Sequence, residues 1–151
     1  SLVRISGLNR DRFIALMNEK TAEWGASSTH FVEPTGLSPQ NVSSPLDYAI
    51  IMKAVLTHPV IGKASALAKY KFATVNTKKA HTIINTDALI AANKYRIVGS
   101  KTGYLDEAGY CLAVKVKSGN TGLIVVTFGA ADRQTSFYET EQLIKYGLLN
   151  L

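Results

Sequence analysis

Val98-Gly99-Ser100-Lys101-Thr102-Gly103-Tyr104-Leu105-Asp106-Glu107-Ala108-Gly109-Tyr110-Cys111-Leu112 joins a short apolar run to a lysine, a hydroxyl and a glycine, then enters a second alternating segment. Residues 96–102, 109–117 and 123–129 read as three strands, with Tyr110, Leu112, Val114 and Val116 on one face of the middle one. Between the last two, Ser118-Gly119-Asn120-Thr121-Gly122 has the turn-forming residues of a hairpin loop. A final helix is expected from about Thr135 to Leu149, with Phe137, Ile144 and Leu148 on one face.

Working back toward the start, the periodicity becomes helical. Asn9 suits the N-cap of a helix from about Arg10 to Trp24, with Phe13, Leu16, Met17 and Trp24 on its apolar face and Gly25 at its end. Pro34, Gly36 and Pro39 keep residues 26–43 irregular. Ser44-Pro45-Leu46-Asp47 is a helix start: a serine cap, proline in the first turn and an acid at the third position. Leu46, Ile50, Ile51, Ala54 and Val55 spread around that helix, so it is expected to be buried centrally, and it ends before Pro59. A short helix is expected within 60–68, a hairpin from residues 70–75 and 81–84 with its turn at Asn76-Thr77-Lys78-Lys79, and one or two helical turns over 87–94. The whole is α+β: a mostly helical region over roughly 1–94, then antiparallel strands and a covering helix over 95–151, with one face of the sheet packed by helix.

A chain of 151 residues, 46% hydrophobic, forms one domain or part of one. No apolar run approaches the ~18 residues of a membrane span, and no signal-like leader opens the chain. The opening Ser1-Leu2-Val3-Arg4 reads as the middle of a longer sequence. The single cysteine, Cys111, excludes an internal disulfide and a thiolate zinc site; its place in a strand suggests a small buried thiol. His30, His58 and His81 have no metal-ligand spacing, so neither a metal nor a cofactor is expected, and His30 reads as structural. The net charge of +6 suits an anionic partner, but the basic residues read as spread along the chain, with no run longer than Lys78-Lys79. They are therefore assigned to a solvated surface, and no nucleic-acid partner is expected.

Several segments resemble the low-molecular-mass penicillin-binding proteins, the serine-type D-alanyl-D-alanine carboxypeptidases and related D,D-endopeptidases. Lys101-Thr102-Gly103 matches their Lys-Thr-Gly element, which stands beside Ser-x-x-Lys and Ser-x-Asn in serine penicillin-recognising enzymes. Phe13-Ile14-Ala15-Leu16-Met17-Asn18 is similar to their helix ending in Met-Asn. Thr29-His30-Phe31-Val32-Glu33-Pro34-Thr35-Gly36-Leu37 is similar to their Thr-x-Phe-x-Asn-Pro-x-Gly-Leu loop, with Glu33 in place of asparagine. Ser43-Ser44-Pro45-Leu46-Asp47, Ala108-Gly109-Tyr110-Cys111-Leu112, Phe128-Gly129-Ala130 and Leu143-Ile144-Lys145-Tyr146-Gly147 follow in family order. The tripeptide alone is short enough to arise by chance; the ordered set is not.

The resemblance implies the C-terminal part of such a catalytic domain, a peptidoglycan stem peptide and β-lactams as partners, and a place in the cell envelope, on the periplasmic or extracellular side. The implied reaction is attack by a serine on a D-Ala-D-Ala peptide bond, followed by release of the acyl-enzyme. Lys101 is implied as catalytic, its charge lying near the nucleophile and the substrate carboxylate. Substrate binding falls to the Thr102 hydroxyl, to the Gly103 backbone and to Tyr104, whose N–H could help stabilise an oxyanion and whose ring reads more simply as a rim.

No serine is followed three positions later by lysine, so the nucleophile is expected on the remainder of the domain. The one literal Ser-x-Asn, Ser118-Gly119-Asn120, follows Lys-Thr-Gly instead of preceding it and reads as a turn. Arg133 reads as a surface or cap residue and Asp47 as a helix-start acid. A class A β-lactamase is disfavoured because Glu-x-x-Leu-Asn is missing. Two other functions stay open: a non-catalytic fragment or wall-peptide-binding module, and a D,D-endopeptidase.

Overall fold

A computed structural model describes residues 2–151. The first part alternates helices with loops: α1 (Leu2–Ile5), α2 (Arg10–Glu23), α3 (Pro45–Val55) and α4 (Pro59–Ser65), then a hairpin of β1 (Lys69–Ala73) and β2 (Ala80–Ile84), then α5 (Ala88–Ala92). The second part is β3 (Ile97–Leu105), β4 (Gly109–Ser118), β5 (Thr121–Ala130) and α6 (Arg133–Leu149). Helix starts follow their caps. Asn9 accepts from the Arg12 N–H, Ser44 from Asp47, Asp87 from Leu89 and Asp132 from Thr135.

The main sheet is antiparallel, in the order β3-β4-β5. Alternation along β4 turns Leu112, Val114 and Val116 to one face, where they are fully buried with Leu89, Val125 and Ile144. Side chains of this size each contribute roughly 1.5–3 kcal/mol on burial. Helix α6 covers this face, and a buried hydroxyl pair, Thr127 with Thr140 at 2.8 Å, joins the two layers. Helix α3 also packs on β4 and β5, through Ile51 and Met52, with Tyr48 edge-on to Phe128 at 5.6 Å. Both faces of the sheet thus carry a helix, where the sequence suggested one. Leu46 departs from expectation: it lies on the outward side of the first turn of α3 and is 72% exposed. Ser118-Gly119-Asn120 is the tight turn between β4 and β5. Five strand residues beyond Ala113, the partner of Lys101, it lies roughly 17 Å along the sheet from the lysine.

Candidate functional site

Among the described residues, strand β3 hydrogen-bonds to β4 on one side only, which leaves its other edge free over Lys101-Thr102-Gly103-Tyr104. Two features fix where that edge lies. At its start the ladder shifts register between Ile97 and Gly99, and a Cβ at Gly99 would fall 2.4 Å from Leu56 Cδ2, so the glycine gives the Leu56 side chain at the end of α3 room against the strand. One residue on, Ser100 Oγ donates to Asp87 Oδ2 at 2.5 Å, and both residues are buried. Asp87 uses its other oxygen to cap α5, so one carboxylate ties that helix to the strand beside Lys101.

Opposite the free edge stands the loop before α3, fastened by side chains distant in sequence. Asn18, on α2, accepts from the Phe31 N–H and donates to its carbonyl, both at 2.8 Å. Asp47 is buried; besides its helix-start position it accepts from the Ser28 N–H at 2.6 Å and from the Thr29 hydroxyl at 3.0 Å. His30 exchanges two backbone hydrogen bonds with Val42, closing the base of the loop. Glu33 holds the tip. Its carboxylate accepts from the N–H groups of Thr35 (2.6 Å), Gly36 (2.7 Å), Leu37 (2.8 Å) and Ser38 (3.3 Å), from the Thr35 hydroxyl, and from Asn41 Nδ2 (2.7 Å). Burial pushes the Glu33 carboxyl up, but the Thr35 hydroxyl and the N–H groups of Thr35, Leu37 and Ser38 outweigh it and bring the pKa to about 2, from an ordinary 4.5.

Two clefts, of about 570 and 420 Å³, open between this loop and β3. They share Thr35 and Gly36 on the loop side and Lys101 to Tyr104, with Cys111, on the sheet side. The larger continues over Phe31, Tyr48 and Phe128, the smaller toward Thr86, Arg133 and Phe137. Together they outline a groove along the strand edge. All four residues expected at the site therefore line it. Lys101 is exposed, and its ammonium donates to the Thr102 carbonyl. Thr102 Oγ1 lies 2.6 Å from Thr86 Oγ1, and the Thr86 carbonyl accepts from Arg133 Nη2 at 2.6 Å. Gly103 sits opposite Cys111 and adds no side chain to the groove. Tyr104 is 53% exposed at the rim, its ring 4.4 Å from that of Tyr110, and its hydroxyl donates to Asp106 at 2.6 Å. That hydrogen bond and the Asp106 charge raise the phenol above its usual range.

Two assignments change. Cys111 is half-buried and faces the groove; it belongs to the wall, not the core. Arg133 opens α6, as a cap-region residue should, but its guanidinium reaches over Phe137 at 5.6 Å toward the Thr86–Thr102 pair and supplies the groove's second cation. The roles of Glu33, Asn41, Thr86 and Asp87 were not read from the sequence. The only hint was Glu33 standing where the resembling loop carries asparagine. Among the described residues, no hydrogen bond links the cleft serines Ser38, Ser43 and Ser136 to a lysine, arginine or histidine.

The architecture is that of penicillin-binding and DD-transpeptidase structures. A D-alanyl-D-alanine carboxypeptidase structure from Mycobacterium tuberculosis superposes with a TM-score of 0.81 at 26% identity, over 98% of this chain and 57% of that one. A mutant of a Streptomyces DD-transpeptidase gives 0.83 at 25% identity, over 91% and 54%. The sequence family described as D-alanyl-D-alanine carboxypeptidase matches residues 3–132, and the chain belongs to that family. Relatives include a D-alanyl-D-alanine carboxypeptidase of Bacillus subtilis, 36% identical over 93% of this chain and 39% of its own length. A D-alanyl-D-alanine endopeptidase of Escherichia coli is 32% identical over 87% and 42%. The chain thus spans about two fifths of the length of these relatives.

Proposed function

We propose that residues 1–151 supply one wall of the active site of a serine D,D-peptidase that trims D-Ala-D-Ala ends of peptidoglycan stem peptides in the cell envelope and is acylated by β-lactams. The observation that carries this reading is the free edge of β3, with Lys101, Thr102 and Gly103 facing a groove closed by the Glu33 loop. An extended peptide laid in the groove pairs with the Gly103 backbone as an added strand. Its terminal carboxylate meets the Lys101 ammonium and the Thr102 hydroxyl, with Arg133 as a second positive charge. The serine oxygen, supplied from sequence outside these residues, adds to the penultimate carbonyl. The C–N bond breaks, the leaving amine takes up a proton, and water hydrolyses the resulting ester. Lys101 favours that anionic ligand and assists the proton transfer, while the Tyr104 N–H contributes to holding the oxyanion. Residues 1–151 alone are inactive on this account.

Endopeptidase action on a cross-linked peptide is the second reading, supported by the Escherichia coli relative. Acylation of the intact polypeptide by a fluorescent penicillin, compared with Lys101→Ala, tests the proposal. A fall in second-order rate of roughly 100-fold or more is expected. An unchanged rate removes Lys101 from the site.

A further inference from the structure

The positive charge is concentrated, against the reading of it as spread. Residues 48–86 contain six lysines, Lys53, Lys63, Lys69, Lys71, Lys78 and Lys79, and no acid; the other residues hold eleven basic and eleven acidic side chains, so this segment accounts for the whole net charge of +6. Four of the six lie on the β1–β2 hairpin, which is exposed along both strands except at the half-buried His81. The register puts Tyr70 opposite Ile83 and Phe72 opposite His81, so these four side chains share one face. The rings form a row, with Tyr70 to Phe72 centroids 6.1 Å apart and Phe72 to His81 5.2 Å. At the tip, Val75 is 87% exposed beside the Lys78-Lys79 pair.

We propose that this hairpin is a docking surface for an anionic phospholipid bilayer. Lysines alone would suit any polyanion. Aliphatic Val75 and Ile83 gain nothing from a phosphate backbone or from base stacking, and with Tyr70 and Phe72 they match the boundary between headgroups and acyl chains. Charge and apolar surface then act on the same target: Lys78 and Lys79 meet lipid phosphates while Val75 and Phe72 enter the boundary layer. Among the described residues no helix is long and apolar enough to cross a membrane, and the contact proposed is one of the hairpin surface with the headgroup layer. Docking here is independent of the peptidase reading.

The test is sedimentation of the intact polypeptide with vesicles of phosphatidylglycerol and phosphatidylcholine, against phosphatidylcholine alone. Binding should require the anionic lipid and weaken as salt rises. Lys78→Gln with Lys79→Gln should lower partitioning roughly thirtyfold, the effect of two lysine–headgroup attractions. Tyr70→Ser with Phe72→Ser should lower it by tenfold or more at unchanged salt dependence. Penicillin acylation should be unaffected in both. No binding to anionic vesicles overturns the proposal. So does equal binding by both variants, or a salt-sensitive preference for duplex DNA over vesicles. A large loss of thermal stability in Tyr70→Ser with Phe72→Ser, together with no vesicle binding, would place the strip in a protein contact.

Discussion

Glu33→Gln tests how the groove is held open. The carboxylate accepts from four N–H groups, one hydroxyl and one amide, and its pKa of about 2 against 4.5 measures the preference of the folded loop for the charged form. A gap of that size corresponds to roughly 3 kcal/mol. The loop forms the solvent rim of the groove, so screening reduces the expected contribution to about 2 kcal/mol. Because the folded pKa lies below the unfolded one, the stabilisation is complete above about pH 4.5 and is lost as the pH falls toward about 2. Glutamine removes the charge and turns an NH₂ toward donors. Urea unfolding of both proteins should give a difference of about 2 kcal/mol near pH 7, held to about pH 5 and shrinking to less than half by about pH 2.5. A constant difference across that range would mean that lost hydrogen bonds, not charge, carry the effect. No difference near pH 7 would refute the clamp.

Three other substitutions probe the elements around it. Ser100→Ala leaves one oxygen of the buried Asp87 without its partner and should cost about 2 kcal/mol, seen as a lower unfolding midpoint. At Gly109, φ is +64° and an added Cβ would stand 2.9 Å from the Ala130 carbonyl; Gly109→Ala should cost roughly 2 kcal/mol or more and loosen the start of β4 by hydrogen exchange. Arg133→Ala should slow penicillin acylation of the intact polypeptide about tenfold or more while shifting stability by under about 1 kcal/mol, since it removes a groove cation and one exposed hydrogen bond.

What the sequence made legible was local. Leu112, Val114 and Val116 alternate because β4 packs one face against α6, and Asn9 and Ser44 cap the helices that follow them. What it hid depends on residues far apart in the chain. Nothing near Asp47 announces that its carboxylate holds Ser28 and Thr29, nineteen and eighteen positions back. Arg133 looked like a helix-start residue because its partner, Thr86, lies 47 positions away. Cys111 looked buried because alternation specifies a face but not whether a neighbour covers it; α3 packs on that face of β4, where Ala113 is buried, but two residues earlier the face opens to the groove. The charge segregation needed no structure, only a count taken by segment.

The measurement closest to the central claim locates the penicillin adduct on the intact polypeptide by proteolysis and mass spectrometry. The account predicts one adduct, on a serine outside residues 1–151 that is followed three positions later by lysine, and its loss or strong reduction in Lys101→Ala. An adduct on any serine within 1–151, or none on a folded intact polypeptide, would contradict it.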